Sequence, residues 1–196
     1  MGSIFLTAKL SNLQNLNLGS NKVQNLTAIQ NLRKLATLNL YSNQVSNLQP
    51  LARLTNLKNL YLGGNKIQSV KSLASLTNLQ ELSLGHNDIS DIRPLSNLRK
   101  LDSLHLSGNR VSNIRPLRSL QSLTSLDLSD NEITNVASLK TLTNLTELSL
   151  KGNYIADTTP IANLPNLTDS TSDEDELIAS NKTNSTPVRY INTNRY

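Results

Sequence analysis

The chain has 196 residues, is 37% apolar, and carries 19 Lys or Arg against 14 Asp or Glu, which leaves room for one domain with a continuous core. It contains no cysteine or tryptophan, one methionine and one phenylalanine, so disulfide and thiolate chemistry are excluded and aliphatic side chains must form almost the whole core. No apolar run is long enough to span a bilayer, and the start, MGSIFLTAKLSNL, has neither the basic-then-apolar pattern of a secretory signal nor, with Leu6 at the sixth position, a myristoylation site.

Residues 1–9 read as a partial N-terminal coil or cap, because Ile4 already falls in the same column as Leu26 and Ile92. From residue 10 the chain is periodic. Asn21, Asn43, Asn65, Asn87, Asn109, Asn131 and Asn153 recur every 22 residues, and the same step carries Leu16 to Leu148, Leu18 to Leu150, Leu13 to Leu145, Leu10 to Leu164 and Ile29 to Ile161. A fixed period of this length over many copies is the signature of a stacked repeat architecture, in which each unit buries its apolar side chains against its neighbours. Seven such units occupy residues 10–167.

Within one unit the first element is L-x-L, as in Leu104-His105-Leu106. Two inward side chains with one outward between them have the period of a short strand, and stacking equivalent units sets those strands side by side as a parallel sheet. The asparagine follows three residues after the second leucine, where the chain turns away from the sheet and leaves backbone groups without a ladder partner. A primary amide both donates and accepts, so a buried asparagine can replace that ladder where a leucine cannot. The seven asparagines are therefore assigned as a structural ladder. The return arm then carries apolar residues at steps near three, such as Ile92, Leu95, Leu98 and Leu101, with Pro50, Pro94, Pro116 and Pro160 in one phase. That spacing predicts 3₁₀ or extended turns rather than α-helices.

The consensus L-x-x-L-x-x-L-x-L-x-x-N-x-I-x-x-I-x-P-L resembles the 22-residue class of leucine-rich repeats, found in the listerial internalins and in the leucine-rich regulatory subunit of protein phosphatase 1. The stretch ISDIRPLSNLRKL, residues 89–101, is similar to the internalin style in its proline phase. The resemblance spans roughly Ile4 to Leu167. It implies an α/β right-handed solenoid, with short parallel strands on a concave face and 3₁₀ or extended turns on a convex face. It also implies a cell-surface or secreted protein if internalin-like, or a cytoplasmic one if an intracellular adaptor. Complete internalins carry a helical N-terminal cap, a signal peptide and a sorting signal that are not recognised here, so an internalin-type chain of this sequence is expected to be a fragment or an offshoot.

A ligand would be read by the variable, outward positions of the sheet. Between the inward leucines stand Asn17, Asn39, Tyr61, Ser83, His105, Asp127 and Ser149, and after the second leucine come Gly19, Tyr41, Gly63, Gly85, Ser107, Ser129 and Lys151. Tyr41 and Tyr61 are the aromatic side chains of this face, and tyrosine gives large contact area with few rotamers to lose. Lys58, Glu81 and Glu147 flank them, and His86 lies two residues past an inward leucine. The candidate protein-binding set is thus Tyr41, Lys58, Tyr61, Glu81, His86, His105, Asp127, Glu147 and Lys151. A polar, water-exposed sheet whose residues vary freely is the competing account of each position.

His105 should neighbour Asp127 across a parallel pair, a juxtaposition that could in principle serve a general base or a metal. An open face with no cavity, no nucleophile fixed by a third group and few strong ligands argues for no catalytic, metal or cofactor site, and the expectation is a non-enzyme without a cofactor. The repeats hold the positive charge, 16 Lys or Arg against 9 Asp or Glu up to residue 167, much of it on the return arms at Arg33, Lys34, Arg53, Arg99, Lys100, Arg115 and Arg118. Interspersed Ser and Asn and the absence of an aromatic platform favour a solvated face over nucleic-acid binding. A protein or peptide partner and a monomeric chain are expected, with a structural array lacking a dedicated partner as the alternative.

Residues 168–196, TDSTSDEDELIASNKTNSTPVRYINTNRY, read as a C-terminal cap and polar tail. Ser172 with Asp175 could open a short helix ending near Ala179, and VRYI could form an edge strand.

Overall fold

Strands of three residues alternate with 3₁₀ turns of three or five residues along positions 10–167, the part of the chain described by the computed structural model. The expected partial coil at 1–9 and the cap, helix and edge strand expected within 168–196 lie outside the described residues. β1 (Asn15–Asn17), β2 (Thr37–Asn39), β3 (Asn59–Tyr61), β4 (Glu81–Ser83), β5 (Ser103–His105), β6 (Ser125–Asp127) and β7 (Glu147–Ser149) form one parallel sheet in chain order. Each residue pairs with the residue 22 positions on, as in Leu82 with Leu104 and Leu104 with Leu126. Backbone bonding continues past the strand ends, where Leu84 donates to the His105 carbonyl at 2.8 Å and His86 to the Ser107 carbonyl at 2.7 Å. The second leucine of L-x-L therefore lies just beyond the strand and still faces inward.

The leucine columns fill the interior. From Leu38 to Leu145 the core holds thirty-five leucine, isoleucine and valine side chains, nearly all with no exposure at all, while Leu16, Leu18, Ile155 and Leu167 at the two ends are only partly buried. Full burial of each such side chain is worth about 1.5 to 3 kcal/mol, so the middle coils carry most of the stabilisation. Aliphatic side chains suffice because each coil presents the same volume at the same place to the next.

The asparagine ladder forms as expected. Asn109 accepts the Ile89 N–H of the preceding coil at 3.0 Å, donates to the Leu84 carbonyl of that coil at 3.0 Å, and donates within its own coil to Leu106 at 3.0 Å and Ser107 at 3.2 Å. Asn43, Asn87, Asn109 and Asn131 are buried, Asn65 and Asn153 are half-buried, and Asn21 is exposed. Among the described residues Asn21 bonds only its own coil, to Leu18 and Gly19.

The residue before each ladder asparagine is left-handed in every coil: Ser20, Ser42, Gly64, His86, Gly108, Asp130 and Gly152 have φ between 52° and 69°. This conformation costs a side-chain-bearing residue about 1 to 2 kcal/mol, and it recurs because only such a bend points the following amide into the coil. Neighbouring positions in this column also compete for space. A Cβ on Gly108 would lie 2.6 Å from His86 Nδ1, and one on Gly152 would collide with the Asp130 carboxylate.

A second polar column, absent from the sequence expectations, caps the return arms. Asn25, Asn47, Asp91, Asn113, Asn135 and Asp157 each accept, through Oδ1, the backbone N–H two residues on, at the start of a 3₁₀ turn. Ser69 fills the same place more weakly, at 3.4 Å. Asn113 is therefore a cap and not merely an outward turn residue. The Arg93 side chain and N–H hold the Asp91 carboxyl below the usual carboxylate range, and the Thr159 hydroxyl and N–H do the same for Asp157. Pro50, Pro94, Pro116 and Pro160 occupy the first positions of these turns, where no donor is needed. On the same side Asn56, Asn78, Asn144 and Asn166 donate to carbonyls of the preceding coil at 2.7 to 2.9 Å.

Asn109→Ala is expected to cost about 2 to 4 kcal/mol, because it strands the buried Ile89 N–H and removes the two amide hydrogens shared among the Leu84, Leu106 and Ser107 carbonyls. Asn113→Ala should cost about 0.5 to 1 kcal/mol, the loss of one exposed cap. Urea denaturation of both variants measures the difference, and equal losses would remove the ladder from its central place. Gly108→Ala should cost about 1 to 2 kcal/mol through left-handed strain plus contact with His86. In a double-mutant cycle with His86→Ala, only the contact component should be recovered.

Candidate functional site

Three outward columns line the concave face: the first strand residue, the third, and the residue two beyond it. Because pairing is in register, each column is a row of neighbours on successive coils. A side chain there is packed or free according to what its two lateral neighbours leave room for.

Tyr41 is 47% exposed. Its backbone is fixed by Asn39, whose Oδ1 accepts the Tyr41 N–H at 2.9 Å. Its ring lies against the glycine at the equivalent position of the next coil, since a Cβ on Gly63 would meet Tyr41 Cδ2 at 3.2 Å. Gly63 is thus the seat of this ring, and at Gly85 the Ser107 hydroxyl fills the equivalent flank; neither is a turn glycine with special φ, a role that belongs to Gly64. Tyr61 differs from the exposed anchor expected of it. It is half-buried at the end of β3, and its hydroxyl donates to Glu81 Oε2 on β4 at 2.6 Å. Tyr61 and Glu81 therefore form one rigid unit, with an apolar ring face and a carboxylate engaged by the phenol.

His105 and Asp127 occupy paired positions on β5 and β6, as expected from the period. They are not hydrogen-bonded to each other. The His105 Nε2 lies 3.1 Å from the Ser103 hydroxyl of its own strand, while Asp127 Oδ1 accepts the Ser129 N–H at 3.0 Å and hydroxyl at 2.6 Å. Each group spends its polar atoms on a neighbour one step along its own chain, so the pair lacks the mutual orientation that a general base or a metal ligand set requires. Among the described residues no three His, Asp or Glu side chains converge.

The remaining candidates fall at the borders. Lys58 is exposed just before β3, with its backbone N–H on the Ala36 carbonyl and its carbonyl accepting from Gln80 and Glu81. Glu147 is exposed on β7 and accepts the Ser125 hydroxyl at 2.9 Å. Lys151 is exposed beyond β7, and His86 sits in the left-handed turn column at the rim, outside the sheet. Tyr154, 72% exposed, was not among the expected residues and lies in the turn after Asn153. Its signal was visible only as an aromatic at a turn position. With Lys58 and Lys151 against Glu81, Asp102, Asp127 and Glu147, the face is acidic towards its C-terminal half, and its N-terminal half is neutral and aromatic.

A leucine-rich repeat model spanning two repeats matches residues 33–75, 55–100, 77–119 and 99–141 in overlapping windows. The chain belongs to the leucine-rich repeat family. Among solved structures, this leucine-rich repeat chain is similar to internalin C2 from Listeria monocytogenes, at 36% identity and a TM-score of 0.68, over 82% of this chain and 80% of that one. It is similar also to the internalin InlF of the same organism, at 35% identity and a TM-score of 0.68, over 81% of this chain and 54% of that one. It thus spans about half of InlF. Comparison with curated proteins gives no match. Leucine-rich repeats of this internalin-like kind are in general non-enzymatic protein-interaction scaffolds, and among the described residues no helix is long and apolar enough to cross a membrane.

Tyr61→Phe should lower stability by about 0.5 to 1.5 kcal/mol, the value of one partly screened bond to a carboxylate. Glu81→Gln, which keeps an acceptor without the charge, should cost less. Thermal melts of the two variants distinguish them, and a Tyr61→Phe variant as stable as the parent would show that the phenol is not held.

Proposed function

We propose that this chain is a non-enzymatic, monomeric recognition module that docks a protein or peptide across its concave sheet. The observation that carries the reading is Tyr41, a large apolar side chain 47% exposed on a rigid sheet and seated on Gly63. Its ordering cost on binding is small because backbone and ring already have one place. Tyr61 adds an apolar face beside it, and the bond to Glu81 keeps that ring from swinging into solvent. Central, rigid aromatic side chains are where binding energy concentrates in protein interfaces. The acidic residues towards β7 fit a partner that places Lys or Arg there, contributing more to encounter rate and orientation than to affinity. Under an internalin-like assignment the partner would be met at a cell surface.

A structural array without a dedicated partner would leave Tyr41 unused. Capture from lysate and surface fractions, followed by affinity measurement on the recovered protein, separates the two. The Tyr41→Ala/Tyr61→Ala variant should bind at least about thirtyfold more weakly, as expected for loss of hot-spot aromatics worth 2 kcal/mol or more. His105→Ala and Asp127→Ala should weaken binding by less than about fivefold. Undiminished binding by the double tyrosine variant, with its fold intact by circular dichroism, would remove the concave aromatic patch as the docking site.

A further inference from the structure

The convex side carries a feature that the concave reading does not use. Two adjoining depressions, of about 540 and 480 Å³, flank the Arg115–Ser119 turn, separating it from the Ala137–Thr141 turn on one side and the Arg93–Asn97 turn on the other. Both are lined by Arg115 and Arg118. Arg93 and Arg99 complete one and Lys140 the other, and no carboxylate lines either. Arg93 is committed to Asp91 at 2.8 Å. Arg99, Arg115, Arg118 and Lys140 are exposed and have no carboxylate partner within ion-pairing distance among the described residues. Three unpaired cations line each depression, Arg115 and Arg118 being common to both, and the arrangement is complementary to a ligand that brings several negative charges across the two.

The rest of the lining narrows the class of ligand. It combines asparagine, serine and threonine side chains with the apolar Ile114 and Ala137 on one side and Pro116 on the other. Asn113 and Asn135 use Oδ1 to cap the turns that follow them, which leaves their amide N–H groups as donors suited to hydroxyl oxygens. No aromatic side chain lines either depression, so the stacking platform that single-stranded nucleic acid uses is missing. A recess between turns also receives a narrow chain better than the flat surface of a bilayer. Arginine forks match the oxygens of sulfate monoesters two at a time. From these features we infer that the convex groove about Arg115 and Arg118 is a binding site for a linear sulfated polysaccharide, separate from the concave face.

The test uses the full chain and a size-defined heparin oligosaccharide, with affinity measured calorimetrically at about 0.15 M salt, where diffuse surface attraction is largely screened. The parent should bind, and Arg115→Ala/Arg118→Ala should bind at least about tenfold more weakly, since each guanidinium supplies charge-assisted bonds. Arg33→Ala/Arg53→Ala removes the same charge from convex arms outside the groove and should weaken binding less than about threefold, the size of a general electrostatic effect. Arg115→Lys/Arg118→Lys, which keeps the charge and loses the fork, should fall between. Equal losses from the two alanine pairs would overturn the site in favour of undirected charge, as would no binding by the parent. Tighter binding of polyphosphate, single-stranded DNA or phosphatidylserine vesicles than of the heparin fragment would overturn the assignment of the ligand. All of these variants leave Tyr41 and Tyr61 untouched, so the outcome does not depend on the concave reading.

Discussion

A buried primary amide that bonds two coils at once is the constraint on which this molecule rests. Each interior ladder asparagine accepts an N–H from 20 residues back and donates to a carbonyl 25 residues back, while closing its own turn with two further bonds. Those partners exist only if the preceding coil has the same length and the same bend. The repeat is therefore held to one length by hydrogen-bond geometry, and the leucine columns, which tolerate some variation in shape, follow. The left-handed residue before each asparagine shows what that geometry demands. His86 and Asp130 adopt a backbone that favours glycine, and the bonds made by the following amide offset the strain.

From this frame the surface chemistry follows as a set of rows. Register places Asn39 beside Tyr61, and Tyr61 beside Ser83, so any outward side chain is judged by its neighbours 22 positions away more than by its neighbours in sequence. Tyr41 is accessible yet ordered because Gly63 vacates its flank. Tyr61, one coil on, is tied down because position 81 is an acid. The two faces differ in kind: on the sheet, polar atoms are largely spent on adjacent side chains, whereas the arms leave several cations without an acid to meet.

Much of this was legible in the sequence because the period is one-dimensional information. The strands, the parallel order, the ladder and the absence of long helices among the described residues need only the spacing of Leu16, Asn21 and Pro94 and their repeats. The capping column was equally legible, since Asn25, Asn47, Ser69, Asp91, Asn113, Asn135 and Asp157 keep the same step, but polar residues on exposed arms read as solvated until a specific N–H is seen to need them. The Tyr61 to Glu81 bond and the failure of His105 to meet Asp127 were not legible. Pairing fixes Cα neighbours, and rotamers then choose between partners of similar distance, so Asp127 turned to Ser129 and His105 to Ser103. The depressions beside Arg115 depend on how turns of five residues bulge, which spacing does not encode.

The convex-side bonds have a common direction. Asn56, Asn78, Asn144 and Asn166 all donate to the coil before them, and so do Ser75, Ser119 and Thr141. During synthesis each arm thus leaves the ribosome carrying donors whose acceptors are already in place, and an array interrupted after any coil exposes on this side bare carbonyls, the less costly group to leave to water. Growth by one unit at the C-terminal edge asks nothing new of the older coils' arms. The same directionality makes the number of coils a quantity that gene duplication can change in single steps.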